Sequence, residues 1–122
     1  MVTSFGKILR KLRIDHSERL LDMAKTLGIS VAFLSSVEIG KKSVPVGMED
    51  KIIELYALDQ EKASLLRKEA DICRKSFTIK ASDPFCREII GMLVRNLENF
   101  SQHDLVKLKI LLEKLGKKTG VL

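Results

Sequence analysis

Ser30, Ser35 and Ser36, the apolar trio Val31, Ala32 and Phe33, and the pair Lys41-Lys42 all fall within residues 30–42. A serine hydroxyl gives and accepts single hydrogen bonds. Valine, alanine and phenylalanine offer apolar contact. The two lysines, with Arg19 upstream, are cations that suit an anionic partner. This is the chemistry of a binding surface rather than of a reaction centre. His16 and His103 are distant in sequence, and neither has a Cys, Ser or carboxylate arrangement that reads as a catalytic set. Cys73 and Cys86 show no CxxC spacing and no neighbouring His pair, so they read as small buried hydrophobes and not as zinc ligands. No enzyme activity, metal or cofactor is expected.

Charge supports the same surface. The formal net charge is +6, which is compatible with a polyanionic partner. Residues 1–45 hold eight Lys or Arg against four acids, whereas residues 46–122 hold 14 against 12. The electrostatic footprint therefore belongs to the N-terminal third. With only six aromatics, most at core spacing, the chain lacks the stacking platform of RNA-binding modules. No apolar run approaches the roughly 18 residues of a spanning helix, and Met1 to Lys7 carry no secretory signal. A cytoplasmic protein without membrane contact is expected.

The elements that must position these residues read almost entirely as helix. Phe5, Ile8, Leu9 and Leu12 mark one face of a first helix, capped by Thr3 or Ser4 and running to about Ile14. A second helix covers about Glu18 to Leu27 and stops at Gly28. Ser30 caps a third, about Val31 to Ile39, which Gly40 ends. A fourth fits Met48 to Tyr56, burying Ile52, Ile53 and Leu55, and a fifth fits Gln60 to Cys73 behind Asp59. Phe77-Thr78-Ile79-Lys80 alternates with period two and reads as a short extended segment, suited to pairing with its copy in a second subunit. Two more helices follow, from about Phe85 to Leu97 and from the Ser101–Asp104 capping box to Leu115, where Gly116 is expected to end the last.

Within this order, Leu20 to Ile39 form a unit with its own logic. Small Ala24 allows close approach, Gly28 supplies the turn, and Met23, Ile29, Leu34 and Val37 fill the angle between two helices. Such geometry lets the second helix enter a DNA major groove while the first crosses the backbone.

Arg13 to Pro45, and within it DMAKTLGISVAFLSSVEIGKK, resembles the helix-turn-helix of phage-repressor (Cro/CI, or Xre-type) regulators, and the resemblance covers about residues 4–58. It implies an all-α, five-helix, lambda-repressor-like DNA-binding domain in residues 1–73. It implies that Ser30, Val31, Ala32, Ser35 and Ser36 face base edges. Arg19, Lys41 and Lys42 would touch phosphates, and Phe33 would rest beside the sugar-phosphate backbone. Arg13 and Glu38 match a pair that forms a buried ion pair between the first and third helices. Two departures stand out. No Arg, Gln or Asn, the usual bidentate base readers, occurs between Ser30 and Ile39. Leu20 also stands where many relatives hold a polar phosphate-binding residue.

Residues 74–122 exceed what a minimal domain of this type requires, and their apolar stripes suit homodimerisation, with half-sites about 34 Å apart on DNA. The expected function is a sequence-specific double-stranded DNA-binding regulator, a repressor. The alternative is an antitoxin that binds its own operator and neutralises a partner toxin protein. A third reading is a protein-interaction module that keeps the scaffold without binding DNA.

Overall fold

The computed structural model describes residues 1–119. Among these residues it contains seven α-helices, one 3-10 turn and no strand. Helices α1 (Ser4–Asp15), α2 (Leu20–Leu27), α3 (Val31–Glu38), α4 (Met48–Leu55) and α5 (Gln60–Cys73) belong to a first unit, Met1–Phe77. Helices α6 (Pro84–Asn96) and α7 (Gln102–Thr119), with the 3-10 turn Leu97–Asn99 between them, belong to a second, Thr78–Leu122.

Side-chain caps set most helix starts. Thr3 Oγ1 accepts from the Gly6 amide at 3.0 Å, Ser30 Oγ from Phe33 at 3.0 Å and Asp59 from Lys62 at 2.8 Å. Asp83 caps α6, with Pro84 in the first helical position where its missing N–H costs nothing. Ser101 and Asp104 bond reciprocally at 3.0 and 3.1 Å, a capping box with Asp in the glutamate position.

Helices α1 to α4 all end the same way. In each, one residue takes a left-handed conformation and two amides fold back onto the last free carbonyls. At α2, Gly28 donates to Lys25 O at 3.1 Å and Ile29 to Ala24 O at 3.0 Å. At α3, Gly40 donates to Val37 O at 3.1 Å and Lys41 to Ser36 O at 2.9 Å. The other two ends use non-glycine residues, Ser17 (φ 53°) and Ala57 (φ 48°).

The core of the first unit collects one face from each helix, including Phe5, Leu9, Met23, Leu34, Ile52 and Leu66, all fully buried. Each such side chain contributes about 1.5–3 kcal/mol on leaving water. Tyr56 closes one edge: its hydroxyl donates to Glu18 at 2.7 Å, joining the end of α4 to the α1–α2 turn. Burial pushes that phenol up, and the adjacent carboxylate pushes it further.

Residues 74–83 form neither helix nor strand, as befits an alternating segment with no neighbour to take up its backbone groups. Three expectations need correction. Helix α7 continues through Gly116 to Thr119; a glycine ends a helix only when it turns left-handed, and otherwise costs about 1 kcal/mol against alanine. Leu55 is exposed, since Ile52 occupies the inward position of α4 and Leu55 falls to the side. Cys86 is exposed because α6 buries no residue, while Cys73 is half-buried against the core.

The second unit is unlike the first. None of its described side chains is buried. Phe85, Ile89 and Met92 on α6, Leu97 in the 3-10 turn and Ile110, Leu111, Leu112 and Leu115 on α7 all stand about half exposed or more.

Ala57 tests the account of the helix ends. A side chain in the left-handed region costs about 1–2 kcal/mol, partly offset by the extra unfolded-state freedom of glycine. Ala57→Gly should raise the unfolding free energy by about 0.5–1 kcal/mol in urea titration. A loss of stability would contradict the conformation assigned to that turn.

Candidate nucleic-acid interface

Helices α2 and α3 meet at 103° across the turn Gly28-Ile29-Ser30. Gly28 (φ 70°) provides the left-handed step, where a side chain would add strain. Ala24, Met23, Leu34 and Val37 are buried, and Ile29 packs partly against the same core. From α4, Lys51 Nζ donates to Leu27 O at 2.8 Å and occupies a carbonyl that the end of α2 leaves free. The angle is thus fixed from inside by packing and from outside by one ammonium group.

This angle decides which side of α3 faces water. Leu34, Val37 and Glu38 point inward and are buried. Val31, at 36% exposed, and Ala32 lie on the open side, and Ser35 and Ser36 are half-buried at its edge. Ser30 is exposed, but its oxygen already caps the Phe33 amide, so a further partner meets its O–H or remaining lone pair. Phe33 rests partly on the core. The first turn of α3 has no acidic side chain, leaving the positive end of the helix dipole without a local counter-charge.

The only acid of α3 is turned inward and neutralised. Glu38, 2% exposed, receives the Arg13 guanidinium in a two-pronged contact: a very short one from Nη1 to Oε2, and one of 3.0 Å from Nη2 to Oε1. Arg10 adds a second cation at 3.5 Å. Arg13 also donates to Met23 Sδ at 3.3 Å, so a single side chain from α1 touches α2 and α3. The Glu38 carbonyl is held as firmly, accepting from the Thr3 amide and the Thr3 hydroxyl, each at 3.0 Å. Gly6 makes this approach possible: a methyl group there would come within 2.9 Å of the Glu38 carbonyl carbon.

The cations flank this surface. Lys41 and Lys42 both donate their amides to Ser36 O, at 2.9 and 3.2 Å, and their side chains are exposed. Arg19 precedes α2 with its side chain 81% exposed, 3.5 Å from Asp22. The Asp22 carboxyl is held below its ordinary value, chiefly by the Arg19 amide at 2.8 Å.

The structure therefore brings Arg13 to Glu38, and Lys41 and Lys42 to the end of the serine-bearing helix. Gly6, Arg10 and Asp22 were not among the residues singled out in the sequence, and Thr3 was read only as a helix cap. Gly6 carried a signal, since a glycine inside a helical apolar pattern costs about 1 kcal/mol against alanine and calls for a packing reason. Arg10, three residues before Arg13, lies on the same helix face. His16 ends α1 in an edge-to-face contact with Tyr56 at 5.0 Å. Among the described residues no group of His, Cys, Asp or Glu could hold a metal ion, and no single helix is long and apolar enough to cross a membrane.

Replacing Glu38 tests how much of this surface depends on the ion pair. Glu38→Gln keeps the shape but leaves a buried guanidinium without its counter-charge, which costs roughly 3–5 kcal/mol. Chemical denaturation should show a loss of that size, and a loss below about 1 kcal/mol, the value of an exposed pair, would contradict it.

Comparison of the chain with models of protein families, with curated proteins and with solved structures finds no match.

Proposed function

We propose that this chain is a sequence-specific regulator of transcription that binds double-stranded DNA, acting as a repressor. In this reading α1–α5 form a phage-repressor-type domain, and α3 enters the major groove of a DNA half-site. The observation that carries it is the 103° junction that leaves the start of α3 open and free of acid, beside exposed lysines. Helix-turn-helix units cross at about 90–120°. Eight residues make a helix about 12 Å long, matched to a major groove about 12 Å wide.

Recognition in this reading is chemically modest. Val31 and Ala32 offer apolar contact to thymine methyls, and Ser35 and Ser36 offer single hydrogen bonds. None of these equals a bidentate arginine on guanine, worth about 1–3 kcal/mol of discrimination. Affinity then rests on Arg19, Lys41 and Lys42 at phosphates, with DNA shape adding to the choice of site. A homodimer doubles the readout, and the uncovered apolar sides of α6 and α7 support one. The same uncovered helices would equally suit a toxin partner, the antitoxin reading. A solution mass of two copies of this chain favours the first, and a stable one-to-one complex with a second protein favours the other.

Selection of bound sequences from random duplex DNA, repeated at two salt concentrations, tests the proposal. Recovery of a common motif with salt-dependent affinity is the expected result, and uniform or absent binding would overturn it. Lys42→Ala should weaken binding to every sequence and shallow the salt slope by about one. Ser36→Ala should change the preference among sequences more than the overall affinity.

A further inference from the structure

Arg74 follows α5 as its C-terminal cap, and its guanidinium uses all five of its N–H groups. Nε donates to Val44 O at 3.2 Å, and Nη2 to Pro45 O at 3.0 Å. Nη2 and Nη1 reach the two Glu49 oxygens at 2.5 and 2.6 Å. Nη1 also meets Asp71 at 2.9 Å. The side chain is only 7% exposed. Burial pushes the Glu49 carboxyl upward, but the bonds from Arg74 outweigh it and hold the group below its ordinary value. One side chain thus ties α4 and the last turn of α5 to the loop that follows α3.

That loop carries Lys41 and Lys42. Left-handed glycines bound it at Gly40 (φ 82°) and Gly47 (φ 85°), so its ends are natural hinges. Its first amides are taken by Ser36 O, Val44 is buried in the core, and the carbonyls of Val44 and Pro45 are taken by Arg74. The lysine side chains therefore project from a backbone held on both sides. Groups already fixed in place lose less freedom when they meet a ligand.

We propose that Arg74 is a positioning residue of the polyanion site, holding the loop 41–46 so that Lys41 and Lys42 meet the phosphates of a DNA backbone. This rests on the duplex-binding reading above. Lysine cannot replace it, because an ammonium has three donors and no planar fork, and four of the five acceptors belong to Val44, Pro45 and Glu49.

The test uses the full chain and a fluorescein-labelled duplex of mixed sequence, with anisotropy read at several salt concentrations. Arg74→Lys should weaken binding about tenfold and shallow the salt slope by about one to two, as if the two lysine contacts were lost. In a Lys41→Ala/Lys42→Ala background the same change should alter binding by less than about twofold, since distant effects add only when they act independently. A purely structural role predicts a lower Tm with unchanged affinity and slope for the folded variant, or an equal loss in both backgrounds, and either result overturns the proposal. Two glycines inserted between Ser43 and Val44 give an arm that does not depend on the stability of Arg74→Lys. They leave every Arg74 acceptor in place but free the lysines from the clamp. This variant should show the same loss of affinity with Tm nearly unchanged, and wild-type binding by it also overturns the proposal. A wild-type chain that binds no duplex would remove the DNA reading itself, and this inference with it. Salt-dependent binding by wild type together with an indifferent insertion variant would remove this inference alone.

Discussion

A carboxylate buried beneath α3 governs the first unit. A carboxylate inside a core is costly unless cations surround it, and Arg13 and Arg10 meet that demand from α1. The side chain of Glu38 binds Arg13 in the last turn of α1 and its carbonyl binds Thr3 at the start, so α1 lies along the end of α3 in one register. Arg13 then touches Met23 and passes the constraint to α2. The apolar core supplies most of the stabilisation, but apolar packing alone is tolerant of rotation. The ion pair selects one orientation of α3, and with it which side chains face water.

Legibility in the sequence followed physical locality. Helices with caps and regular apolar spacing were readable to within a residue or two, as Asp59 and Gln60–Cys73 illustrate. Gly28 and Gly40 announced their turns because glycine is the cheap residue in the left-handed region. Ser17 and Ala57 adopt the same conformation without announcing it, since tertiary packing holds them there. The Arg13–Glu38 pair was available only through resemblance, and the Arg74 cluster not at all. A guanidinium that gathers acceptors from a loop, a helix and its own last turn leaves no periodic trace. Gly116 misled for the reverse reason: a residue that permits a stop does not enforce one.

The two units divide the physics of the chain between them. In the first, five short helices share a core and, among the described residues, no buried side-chain nitrogen or oxygen lacks a partner. In the second, α6 and α7 have strongly apolar sides, and none of their described side chains is buried. Forty-odd residues rarely stabilise a fold on their own without a metal, disulfides or association, and its lone cysteine, Cys86, is a free thiol. That consideration is why a dimer figures in the proposed function.

The acid-free opening turn of α3 also has a thermodynamic side. A carboxylate placed there would add about 0.3–1 kcal/mol to the helix, and the sequence forgoes it. An anion settling there would supply that increment instead. Occupancy and rigidity are thereby linked: whatever negative group docks at Ser30 and Val31 also raises the melting point of the molecule that holds it.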